Sequence, residues 1–158
     1  MKFILATRNR YLECGLQVLL KGSRIHFARD FFMPANRRSV LHGEESWVII
    51  CDASLGRLMR CMFQGRHFLQ MDVEKVKGLQ DIHDVVRNGL WTWNTTVRAL
   101  TMSEMVVMFG YVYRELKPLQ LAKEMGIHTK TVNTFLYTGL AKNGMQSLNV
   151  RHLVCGVT

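Results

Sequence analysis

The chain has 158 residues, 48% of them hydrophobic, and a formal net charge of +9. That length suits one medium domain or two small ones, and the apolar content excludes a disordered chain as the default. The charge points to a polyanionic partner, nucleic acid first, although it does not localise a site. Lys+Arg outnumber Asp+Glu 15 to 9 before Leu100 and 6 to 3 from there on.

In chain order, Lys2–Ala6 is a short apolar run of buried-strand type, followed by the polar turn Thr7-Arg8-Asn9. Leu12, Leu16, Leu19 and Leu20 then share one helical face, with Gly22 a suitable stop. Arg24–Ala28 reads as a strand, whereas Arg29 to Glu45, with Pro34 and the pair Arg37-Arg38, resists assignment. Trp47–Cys51 is the clearest strand, β-branched and ending at Asp52. Leu55–Gln64 suits a helix, His67–Met71 a strand and Leu79–Leu90 a helix. This alternation predicts a small, mostly parallel α/β sheet over residues 1–90. Residues 91–99, containing "WTWNTT", read as a linker.

From residue 100 to 158 the period is helical throughout. Thr101 and Glu104 form a T-x-x-E capping box, and Met105, Val106, Met108, Phe109 and Val112 follow as an apolar stripe. Pro118 suits the first turn of a helix ending near Met125. A helix from about Thr129 to Asn143 follows, and another, capped by Asn149, covers the tail. Gly126 suits a turn needing positive φ, and Ala122 suits a close helix crossing. Leu121, Met125, Ile127, Val132 and Phe135 fall at inward positions of such a pair. The outward positions are His128, Thr129, Lys130, Asn133, Thr134 and Tyr137, which carry groups able to reach base edges and phosphates. This is the logic of a helix-turn-helix.

"LTMSE" (Leu100–Glu104), "LAKEMGIHTKTVNT" (Leu121–Thr134) and "KNGM" (Lys142–Met145) resemble, in order and spacing, the DNA-binding domain of LuxR/NarL-type bacterial transcription regulators. The resemblance implies an all-α, four-helix domain whose third helix, 129–143, reads the major groove and whose fourth assists dimerisation. By position, Asn133, Thr134 and Tyr137 would face bases, while Thr129, Lys130, Thr131 and Lys142 would hold phosphates. The chain departs from the family pattern at His128, Phe135, Asn143 and Gly139, and Glu115 stands where a Gly is usual.

Ile4–Leu20 and "WVIICD" resemble, in turn, the receiver domain of the same family, shortened by about one strand–helix unit. A receiver holds Mg²⁺ with two carboxylates after its first strand, and this chain has Thr7 and Arg8 there, Arg8 being placed to pair with Asp52. The expectation is a phosphorylation-independent regulator that binds double-stranded DNA as a homodimer, or as a heterodimer with a related regulator. Four cysteines without C-x-x-C spacing and six scattered histidines suggest a reducing cytoplasm, no metal and no cofactor. No nucleophile–base pairing or phosphate loop argues for an enzyme, and no apolar run reaches membrane-spanning length.

Overall fold

The computed structural model describes residues 1–41 and 44–142. Four strands, β1 (Lys2–Ala6), β2 (Arg24–Phe27), β3 (Ser46–Cys51) and β4 (His67–Asp72), form one parallel sheet in the order β2-β1-β3-β4. Lys2 stands between Arg24 and Trp47, and Ser46 lies opposite His67. Parallel neighbours require crossovers. Helix α1 (Arg10–Leu19) supplies the first, from β1 to β2. The stretch that resisted assignment supplies the second, as a short helix α2 (Ala28–Phe31) and a 3-10 turn (Pro34–Asn36). Helix α3 (Gly56–Phe63) supplies the third, from β3 to β4.

Trp47, Val48, Ile49 and Ile50 of β3 are fully buried. The strand is covered on both faces, which is why it reads as an unbroken apolar run. On one face α1 and α4 (Leu79–Asn88) lay Leu16, Leu20 and Ile82 against Phe3, Leu5, Val48 and Ile50. Asn9 starts α1, its side-chain oxygen accepting from the N–H groups of Tyr11 and Leu12.

The other face carries Ile4, Trp47 and Ile49 against Phe32, Leu58, Met59, Met62 and Phe63. The same core continues into α5 (Met102–Val112), α6 (Pro118–Met125) and α7 (Thr129–Lys142). The Phe32 and Phe109 ring centroids lie 5.3 Å apart, joining the sheet half to the helical half. Every residue of α5 from Glu104 to Gly110 is buried. A helix apolar all round belongs inside a core, and α5 packs against α3 as well as against α6 and α7. The Thr101–Glu104 box is formed: Glu104 N–H donates to Thr101 Oγ1 at 3.2 Å, and Thr101 N–H to Glu104 Oε1 at 2.8 Å.

The segment 91–99, expected as a linker, has fixed contacts of its own. Thr92 exchanges both backbone hydrogen bonds with Phe68, at 2.8 and 2.9 Å, as a single antiparallel pair on the outer edge of β4. Trp91 stacks on His67 at 4.5 Å and donates its indole N–H to the Val86 carbonyl. Gly65 turns the chain with φ +82, and a Cβ there would lie 2.6 Å from the Val97 carbonyl oxygen. Nearby, the buried Arg66 guanidinium donates to the Leu100 carbonyl at 2.6 Å. Among the described residues no helix is long and apolar enough to cross a membrane.

Candidate functional site

Pro118 opens α6, where its missing N–H leaves no hydrogen bond unmade. Gly126 ends it in the left-handed region (φ 67, ψ 35), and the N–H groups of Gly126 and Ile127 both return to the Ala122 carbonyl. A glycine in that conformation closes the helix without steric cost. Two residues later α7 begins, and the N–H groups of Thr131 and Val132 donate to the His128 carbonyl. Leu121, Ala122, Met125, Val132, Leu136 and Leu140 are buried, and Ile127 and Phe135 pack partly buried against them.

Two glycines let the helices approach. A Cβ on Gly110 of α5 would meet Leu121 Cδ2 at 2.4 Å, and one on Gly139 of α7 would meet Met108 Cε at 3.1 Å. Gly139 costs roughly 1 kcal/mol of helix propensity, and in return α7 packs tightly against α5. Between α5 and α6, Glu115 holds φ 55, a left-handed conformation without a glycine. The Arg114 guanidinium bridges the same joint with two 2.8 Å hydrogen bonds to Glu124, holding that carboxyl below its usual pKa.

The expected site residues divide into three groups. Lys130, Thr134 and Tyr137 are exposed on one side of α7, Tyr137 by 57%. Thr129, Thr131 and Asn133 are half-buried beside them. Lys142 behaves differently: expected among phosphate contacts, it turns inward with its side chain 11% exposed. Its ammonium pairs with the buried carboxylate of Glu104 and also reaches the Ala99 carbonyl at 3.3 Å. The apolar stem and the uncompensated Glu104 charge draw it there. Motif spacing alone carried no sign of this, although a buried glutamate at the third position of α5 calls for a cation. The end of the expected helix 129–143 and the helix capped by Asn149 lie outside the described residues.

The exposed face of α7 lies opposite its packing against α5 and α6. Its polar groups are donors and acceptors rather than charges, apart from Lys130. Thr134 and Thr138 donate their hydroxyls to backbone carbonyls one turn back, leaving their oxygens outward as acceptors.

At the carboxyl ends of β1 and β3 the strand order reverses, the place where open α/β sheets bind ligands. A cavity of about 580 Å³ opens there, lined by Arg8, Asn9, Asp52, Ser54 and Glu74 among others. Asp52 accepts the backbone N–H of Arg8 at 2.8 Å. Contrary to expectation, the Arg8 guanidinium does not pair with Asp52; it lies 4.1 Å from the ring centre of Tyr113 and donates to that residue's carbonyl at 3.1 Å. The aromatic face and the free carbonyl at the end of α5 outcompete the carboxylate. Thr7 is buried and its hydroxyl accepts from Asn9 N–H. No carboxylate therefore follows β1. Lys75, in the 3-10 turn after β4, is exposed and makes no ion pair among the described residues. Among those residues no three His, Cys, Asp or Glu side chains gather as a metal site.

No protein-family model, curated protein or solved structure matches the chain.

Proposed function

We propose that the chain is a sequence-specific DNA-binding regulator of transcription, with α7 as the helix that enters the major groove. The observation that carries this reading is the α6–Gly126–α7 pair, apolar side chains inward and polar side chains outward. The resemblance of the same residues to the LuxR/NarL helix-turn-helix supports it. Asn133 is the base reader, adenine being the natural bidentate partner of an amide. Thr134 and Tyr137 lie on the same face, and Thr129, Lys130 and Thr131 hold phosphates from the start of the helix.

The sheet half serves as a scaffold. A phosphorylated aspartate needs a neighbouring metal held by hard oxygen ligands, and Thr7 and Arg8 stand where those carboxylates would be. The sheet packs through α3 onto α5, so α7 needs no release from it before binding. Binding as a dimer would place two α7 helices in half-sites about one helical turn apart.

Selection of bound duplexes from a random pool, followed by titration of two variants, tests the reading. Asn133→Ala should lose discrimination at one base pair, by about 1–3 kcal/mol. Lys130→Ala should weaken every sequence alike. An unchanged preference in Asn133→Ala would remove that residue from base reading, and failure to enrich any sequence would refute the function. One observation favours a second reading, an accessory subunit of a related regulator. With Lys142 committed to Glu104, Lys130 is the one outward cation on the described part of α7, so affinity alone would be low. Light scattering of the DNA complex separates the two: a lone homodimer on DNA opposes the accessory role.

A further inference from the structure

In a helix-turn-helix the first helix crosses the phosphate backbone while the second lies in the groove. Whatever packs beside α6 is then carried to the phosphates flanking the site. The element beside α6 comes from the sheet half: the 3-10 turn Pro34–Asn36 packs against both α5 and α6.

Its exit is fixed by backbone contacts. Ser103 of α5 donates its hydroxyl to the Arg37 carbonyl at 3.1 Å. Arg37 N–H donates to Pro34 and Ser39 N–H to Asn36. The Asn36 amide ties the turn to the carbonyls of Asp30 and Phe31. The two arginine side chains at its exit are left uncommitted. Arg37 is half-buried and Arg38 exposed, and neither guanidinium has a partner among the described residues. Two neighbouring cations without a carboxylate are free to take a polyanion as their partner.

We infer that Arg37 and Arg38 form a second phosphate-binding element, supplied by the sheet half of the same chain and aligned with α6. The inference rests on the DNA-binding reading and extends it. It also meets a need that Lys142 leaves open. The described cations on α6 and at its start are Lys117 and Lys123, and a planar guanidinium grips phosphate in two places where an ammonium grips in one.

The test uses the full chain and two duplexes, one selected by the protein from a random pool and one of unrelated sequence. Affinity is measured against potassium chloride concentration. Each lost phosphate contact flattens the slope of log K against log salt by about 0.9. Arg37→Ser/Arg38→Ser should therefore flatten it by about 1.8 on both duplexes, leaving the preference between them unchanged. A charge-matched control, Lys77→Ser/Arg87→Ser, alters exposed residues of the α4 region on the opposite sheet face and should leave the slope as it was. A double arginine variant with the wild-type slope overturns the inference, and so does a control that flattens the slope equally. If both Asn133→Ala and the selection behave as expected while the arginine variant does not, the second element fails and the α7 reading stands. A wild-type chain that binds neither duplex refutes both.

Discussion

Replacing Lys142 by methionine separates two accounts of that residue. Its ammonium pairs with Glu104, whose side chain is 3% exposed against 11% for the lysine. Without the lysine, among the described residues Glu104 Oε1 keeps only the Thr101 N–H, and Oε2 is already buried without a hydrogen-bond partner. Removing one member of a buried pair costs about 3–5 kcal/mol. The partial exposure of Lys142 argues for the lower end, about 3 kcal/mol. For a chain of this size each kcal/mol lowers the melting temperature by roughly 2–4 °C, so a fall of about 6–12 °C is expected in a circular dichroism melt. Adding Glu104→Met should recover much of the loss, because two apolar side chains leave no stranded charge. The salt slope of DNA binding should not change. A Lys142→Met variant that melts within about 2 °C of the parent while losing about 0.9 of salt slope would refute the buried-pair account and restore the residue to the phosphate contacts.

Glu115→Gly should stabilise the chain by about 0.5–1 kcal/mol, since it relieves a left-handed conformation at φ 55 while loosening the unfolded chain; urea midpoints measure it. Gly65→Ala should cost about 3 kcal/mol, combining its positive φ with a Cβ 2.6 Å from the Val97 carbonyl. Hydrogen exchange at Thr92 should accelerate in the same variant. The burial of Cys51 and Cys61 pushes their thiols up to about 12 and about 11, whereas Cys14 is exposed. In a Cys155→Ser background at pH 8, a thiol reagent should therefore modify Cys14 alone until the chain unfolds; fast reaction of a second thiol in the native state would contradict the packing of β3 and α3.

β1 and β3 were legible because each is a short apolar run ended by polar residues, and the alternation of strands with helices pointed to parallel pairing. Residues 29–45 were not, because a one-turn helix and a 3-10 turn are too short to show a period. Thr92 was equally silent: a single bridged pair leaves no alternation, so a segment stapled to β4 looks like a linker. The helix pair around Gly126 was legible from residue types alone, since turn, crossing and core each demand a particular one. Its inner electrostatics were not. Lys142 and Glu104 are 38 positions apart, and no local rule joins them. One signal of the enclosed helix does lie in the sequence. "MVVMFG" in α5 has no polar side, and a helix without one must be enclosed by something beyond its two partners.

That enclosure shapes how the chain is made. On the ribosome the four strands and α3 emerge well before α5, and until it follows, Phe32 and the side of α3 that packs on α5 lack that cover. A chain with two self-contained units would close its first before finishing its second. Here Phe32 and the side of α3 toward α5 wait for Phe109, and chaperone demand during synthesis should fall on that interval.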